Sequence, residues 1–217
     1  MNILFCCEFY APSVGGVQEV MRQLAERLVV RGHSVTVATT AIPIRGFKEL
    51  NGVHIREFSI SGNLANGMKG DLESYRQFVA DTDFDVVMIK AAQQWTFDAL
   101  WPVLSRIPGK KVFIPCGFSC LYEPDYANYF RELPAILRQF EHLIFYASEY
   151  RDIRFARQHG LTDFSIIPNG ASEVEFSITP DPSFRHRYSL CDEDLLFLSV
   201  GSPARMKGHC EIAEAFL

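Results

Sequence analysis

No Gly-x-Gly-x-x-Gly follows the first strand-like run of this chain, and no Walker A lysine motif occurs in its 217 residues. The first absence disfavours a dinucleotide-dependent dehydrogenase or epimerase, whose pyrophosphate needs those glycines at the mouth of a helix. No apolar run approaches the roughly 20 residues of a membrane span. The opening MNILFCCEFY goes straight into a strand-like run, without the basic start and small-residue cleavage site of a signal peptide. The six cysteines contain no Cys-x-x-Cys, so reduced thiols in a cytoplasmic protein are the expectation. Cys116 and Cys120 have no histidine near them in sequence, and no metal site is expected there. Basic charge is in short supply: 21 Lys and Arg against 26 Asp and Glu leave a net charge of −5, which gives no electrostatic reason to bind nucleic acid.

What is present is an ordinary globular composition, 48% apolar and 22% charged, with a high count of 18 phenylalanines that predicts aromatic packing between helices and sheet. Residues 2–7 and 34–39 read as strands. Between them Val17, Val20, Met21, Leu24, Ala25 and Leu28 recur at helical spacing, and Gly32 stands where the helix should end. The alternation continues. Strands are expected at 53–58, 85–89, 111–114, 142–147 and 165–167, and helices at 71–80, 96–104, 126–140 (broken near Pro134) and 149–159. Ser148 is the expected N-cap of the last helix and Gly160 its stop. Residues 51–70, with four glycines and three asparagines, read as a loop-rich edge. Seven strands alternating with helices predict an α/β fold with a doubly wound, Rossmann-like parallel sheet. Residues 1–177 form the expected domain, 178–183 a proline-broken linker, and 184–217 a strand at 195–200, a turn and the start of a helix, too little to bury a core.

In such sheets ligands bind beyond the carboxyl ends of the strands. Four loops there are candidates. The first, EFYAPSVGG, carries Glu8 and ends in Gly15-Gly16 at the head of the first helix, where bare N–H groups favour a phosphate; a tight strand-to-helix turn is the competing reading. The second is PCGFS, with Cys116 and Gly117; nothing adjacent in sequence depresses the thiol pKa. The third is Pro168-Asn169-Gly170, a turn signal. The fourth holds Arg205 and Lys207 before Gly208, two cations suited to an anion or simply solvated. Arg151, Arg154 and Arg157 read as a solvated basic stripe, and Trp95 and Trp101 as packing anchors.

Together the opening strand, GG loop and helix with its closing RGH-x-V, the segment IIPNGASEVEF, and FLSVGSPARMKGHCEIAEAF resemble the two-domain, retaining nucleotide-sugar glycosyltransferases of GT-B fold, specifically the group 1 or GT4 family. The resemblance covers essentially the whole chain. It implies an N-terminal, acceptor-binding domain followed by only the beginning of a donor-binding domain, and hence a chain that is inactive by itself. It implies a nucleotide sugar as co-substrate, with no cofactor and no metal, and a saccharide or lipid-linked acceptor. A lipid-linked acceptor would bring peripheral contact with the inner face of the membrane. Gly15 and Gly16 would meet the donor diphosphate, Lys207 with Arg205 would stabilise it as it leaves, and Glu8, Cys116, Gly117, Asn169 and Gly170 would line the cleft. Two positions depart from the family pattern: Cys116 stands where a histidine is common, and Ser202 where an arginine is. A non-catalytic carbohydrate- or lipid-binding module, or a split subunit, of the same fold is the alternative. The strand at 195–200, unpaired at an edge, is the expected contact of a homodimer.

Overall fold

Every second residue of the first strand faces the same layer, and this alternation builds the molecule. In β1 (Asn2–Cys6), Ile3 and Phe5, with Cys7 just beyond, join one apolar layer, while Leu4 and Cys6 join the other. Both faces are therefore covered, as a parallel sheet requires. Helix α1 (Gly16–Val30) supplies Met21 and Ala25 to the first layer and returns the chain to β2 (Ser34–Thr40). Gly32 ends that connection at φ 84°, in the left-handed region. In this computed structural model residues 1–202 and 207–216 are described.

The chain divides into two units, Met1–Gly170 and Ala171–Leu217. In the first, β3 (Glu49–Leu50) and β4 (Val53–Phe58) complete one side of the sheet. A small hairpin of β5 (Ile60–Asn63) and β6 (Gly67–Gly70) follows, then α2 (Leu72–Asp81). The other side is β7 (Val86–Lys90), α3 (Trp95–Asp98), β8 (Lys110–Ile114), α4 (Ala127–Leu137), β9 (His142–Phe145), α5 (Arg151–Gln158) and β10 (Phe164–Ile166). The eight strands of the main sheet run in the order β10-β9-β8-β7-β1-β2-β4-β3. All neighbours are parallel except β3, which runs antiparallel to β4. The doubly wound α/β fold is thus present, and all seven strands expected within residues 1–177 lie in its sheet.

Aromatic rings fill the layer under α3. Phe97 stacks on Phe113 with centroids 4.1 Å apart, and Trp95, wholly buried, meets Tyr75 edge-on at 4.9 Å. Both tryptophans serve packing. Arg45, also buried, donates to the carbonyls of Ala11, Thr40 and Tyr10 and pairs with Glu57, tying the long loop after β2 to the loop after β1.

Several local expectations need correction. The second half of the stretch expected to be loop-rich, Ile60–Gly70, is an ordered β-hairpin, in which Gly62 and Gly70 admit neighbouring backbone so closely that a Cβ would lie 2.0 and 1.8 Å from a carbonyl oxygen. The helix expected at 96–104 stops at Asp98 and resumes as a 3-10 turn, Trp101–Arg106, with Pro102 in its first turn. Pro134 does not break α4, because Phe130, Leu133 and Leu137 bury one face on both sides of it and offset the roughly 3 kcal/mol a helix-interior proline costs. Ser148 is not the cap of α5: the chain bends at Ser148 and Glu149, Tyr150 is extended, and the helix starts at Arg151. Pro168–Gly170 runs on as irregular chain rather than a tight turn.

The second unit holds α6 (Glu173–Phe176), α7 (Phe184–Arg187) and α8 (His209–Glu214). Residues 195–200, expected as a strand, join no ladder among the described residues; Leu195, Leu198 and Val200 are exposed. Phe197 meets the Phe216 ring, with centroids 5.0 Å apart.

Candidate functional site

The strand order reverses between β1 and β7: β2 and β4 extend one way, while β7 to β10 extend the other. At such a switch point the loops diverge and leave a crevice at the carboxyl end of the sheet. Three loops meet here, after β1, β7 and β8, with the hairpin β5–β6 beside them. Their backbone is unusual. Ala91 and Gln93 after β7 have φ of 69° and 63°, and Cys116, Gly117 and Phe118 after β8 have φ of 64°, 100° and 48°. Four of these five are not glycine, and each such residue costs on the order of 1–3 kcal/mol that the surroundings must offset.

Asp98 is the hub. It is almost fully buried on α3, accepts from the Tyr129 hydroxyl at 2.7 Å and from the Leu64 amide at 2.9 Å, and sits at the end of a chain of polar contacts. The Tyr129 hydroxyl in turn accepts from the Gln93 amide at 2.9 Å. Asn63 donates to the Gln93 carbonyl and to the Tyr126 hydroxyl, at 3.4 and 3.1 Å. Burial pushes the Asp98 carboxyl up to about 6, against the pull of those donors. Glu8, half-buried after β1, is also raised, first by burial and then by the charge of Asp98. Its carbonyl is held by the Thr40 amide and the Thr39 hydroxyl, so the side chain leaves from a fixed backbone.

Lys90 closes β7. Its ammonium is buried and hydrogen-bonded to the Tyr146 hydroxyl, and no carboxylate among the described residues pairs with it. Burial lowers its pKa, countered by the nearby thiols of Cys116 and Cys7. Burial raises the Cys116 thiol, with the Lys90 charge acting against it, so Cys116 is a protonated thiol rather than a thiolate nucleophile. Gly117 donates its amide to Asp152 at 2.9 Å, and a Cβ there would come within 2.8 Å of the Tyr150 ring.

Among the sequence-expected site residues, Glu8, Cys116 and Gly117 therefore lie at the carboxyl end of the sheet. Gly15 and Gly16 head α1, which has no side-chain cap, so its first amides are bare. Gly15 is extended (φ 171°), and a Cβ on Gly16 would meet nothing within 4 Å. Asn169 and Gly170 are exposed and follow β10, four strands from β1, or about 19 Å at the usual 4.8 Å strand spacing. Lys207 is exposed in the second unit, and Arg205 lies outside the described residues. Arg154 and Arg157 pair with Glu149, a solvated arrangement. The sequence reading missed Asp98, Tyr129, Gln93, Gln94 and Lys90. The available signal was a polar residue inside an apolar stretch, Asp98 in WTFDALW and Lys90 after VVMI.

Among the described residues, no helix is long and apolar enough to cross a membrane. No family model matches the chain, and no curated protein matches it in sequence. Solved structures do match. The sucrose-phosphate synthase of Thermosynechococcus elongatus superposes with a TM-score of 0.73 at 14% identity, over 99% of this chain and 59% of that one. HepE of Anabaena, solved in complex with UDP and glucose, superposes with a TM-score of 0.54 at 13% identity, over 87% of this chain and 50% of its own. The chain thus has the Rossmann-like α/β fold found in these GT-B glycosyltransferases, and spans 59% and 50% of their lengths.

Proposed function

We propose that the chain is the acceptor-side part of a retaining nucleotide-sugar glycosyltransferase of the GT4 kind, whose donor-binding part is only begun by residues 184–217. The observation that carries this reading is the superposition of nearly the whole chain on just over half of a glycosyltransferase. In this reading the bare amides at the head of α1, left open by Gly15 and Gly16, face the donor diphosphate. Lys207 and Arg205 take up the negative charge that grows on the departing diphosphate, an electrostatic contribution of several kcal/mol. Glu8, Cys116 and Gly117 border the acceptor. Cys116 donates at most a weak S–H bond where an imidazole would make strong ones, which leaves polar recognition to Glu8 and its neighbours. A saccharide or lipid-linked saccharide is the acceptor class.

The test is transfer from a panel of sugar nucleotides by the longest reading frame containing this chain, beside residues 1–217 alone. Turnover is expected in the longer protein only, with Lys207→Ala reducing kcat by about 10²- to 10³-fold. Steady release of nucleoside diphosphate by residues 1–217 would overturn the assignment of donor chemistry to a missing part. Inactivity of both, across the panel, would favour a carbohydrate-binding module of the same fold; the protonated thiol at Cys116 is the feature that favours that second reading.

A further inference from the structure

Five buried side-chain polar atoms among the described residues have no hydrogen-bond partner, and four of them fall between residues 93 and 101: Gln93 Nε2, Gln94 Oε1, Thr96 Oγ1 and Trp101 Nε1. Leaving such a group unsatisfied costs about 1–3 kcal/mol, so a run of them in one short segment calls for a ligand or ordered water. Two of the four, the Gln93 and Gln94 amides, are adjacent in the loop after β7 at the switch point of the sheet. That loop is itself held in a costly conformation, with Ala91 and Gln93 both in the left-handed region. Most of its backbone is committed: the Ala91 and Ala92 amides to the carbonyls of Ile114 and Pro115, the Gln93 amide to Tyr129, the Gln93 carbonyl to Asn63, and the Gln94 carbonyl to the amides of Phe97 and Asp98. The loop is therefore pinned, while one amide donor and one amide acceptor on it remain unspent.

We infer that Gln93 and Gln94 form a subsite for vicinal hydroxyls of a neutral sugar. The inference rests on the glycosyltransferase reading for its role as an acceptor subsite, and on the geometry alone for its chemistry. A hydroxyl both donates and accepts, so a neighbouring pair of hydroxyls answers one free N–H and one free carbonyl together. The charged neighbours select against acids. Asp98 on α3 reaches the loop through the Tyr129 hydroxyl, Glu8 after β1 feels the Asp98 charge, and no cation among the described residues is paired to either; Lys90, at the end of β7, is turned to the Tyr146 hydroxyl. A phosphate or carboxylate on the ligand would meet two acidic groups, whereas a neutral polyol can also donate to Glu8.

The test follows the side-chain amide resonances of Gln93 and Gln94 in the ¹⁵N-labelled 217-residue chain. The probes are D-glucose, D-mannose and N-acetyl-D-glucosamine, each beside D-glucuronate at neutral pH. At least one neutral sugar is expected to shift both amides, with glucuronate weaker. Gln94→Met, which removes the carbonyl but keeps the side-chain length, should weaken that sugar about tenfold, the loss of one good hydrogen bond. Gln93→Met provides the same measurement from the donor side should either variant fail to fold. Silence of both amides with all three neutral sugars would overturn the inference, as would glucuronate shifting them as strongly as glucose. The outcome is separable from the wider reading: amide shifts without turnover in the longer protein would keep the subsite and remove the transferase. Turnover with silent amides would do the reverse.

Discussion

The two units of this chain are built by opposite rules. Every buried apolar side chain among the described residues lies between Ile3 and Leu161, whereas none from residue 171 onward is buried. The first unit covers both faces of a sheet and can fix costly backbone at four positions in two loops. Among the described residues, the second has three short helices and an apolar stretch, 195–200, left open to solvent. Strain at a ligand site is affordable only where a core over-determines the fold, which is why the built crevice belongs to the first unit alone.

The sharpest way to break the comparison is to remove one large side chain from each unit. Trp95 is wholly buried, packs edge-on against Phe58 and Tyr75, and donates its indole N–H to the Thr40 hydroxyl at 2.9 Å. Trp95→Ala should cost about 3–5 kcal/mol in urea unfolding. Phe197→Ala should cost no more than about 0.5 kcal/mol, because the ring that meets Phe216 is exposed. A comparable loss at both sites would mean the second unit contributes a core of its own.

Next in size is a pH effect specific to the crevice. Asp98 titrates at about 6 in the folded chain against an ordinary 3.8, so between those values the folded state holds a proton that the unfolded chain has released. Stability therefore falls as pH rises from about 4 to 6 and is flat above, by about 3 kcal/mol for a gap of about two units. The urea midpoint of the wild type should drop over that window by more than that of Asp98→Asn, which has no proton to lose. Equal slopes would place the Asp98 carboxyl in water. The raised Glu8 acts in the same direction and remains in both proteins.

A smaller pair of changes separates glycines held by structure from those left free. Gly117 has φ 100° and the Tyr150 ring in the way of a Cβ, so Gly117→Ala should cost about 1–3 kcal/mol. Gly16→Ala meets open space and should stay within about 0.5 kcal/mol in thermal unfolding. If Gly16→Ala nevertheless impairs turnover in the longer protein, the bareness of that helix end serves the ligand and not the fold.

Much of this was legible in the residues, and the failures have physical causes. Strands buried on both faces announce themselves as apolar runs, and all seven stand in the sheet. The hairpin at 60–70 was hidden because glycine and asparagine usually mark loops. Here Gly62 and Gly70 are needed for the close approach of the paired backbones. Ser148 carried a cap's sequence signature, yet Tyr150 must stay extended to lie against Gly117, a contact 33 residues distant that no local pattern encodes. Glu8, Cys116 and Gly117 could be found because they follow strands directly. Asp98, Tyr129 and Gln93 could not, since they become one polar network only when α3, α4 and the loop after β7 are brought together.

The smallest expected effect is the most telling about the division of the chain. Ending the protein at Gly170 removes the second unit and leaves the eight-stranded sheet entire. Because nothing in the removed part is buried, little apolar surface is withdrawn from water there, and the hydrophobic contribution lost is correspondingly small. The shortened chain should unfold with the same dependence on urea, since that slope follows the surface exposed on unfolding, and within about 1 kcal/mol of the full chain. Residues 171–217 made separately should show no cooperative transition, being too short to bury a core. A loss of several kcal/mol on truncation, or a steeper urea dependence in the full chain, would show that the second unit is held against the first in solution.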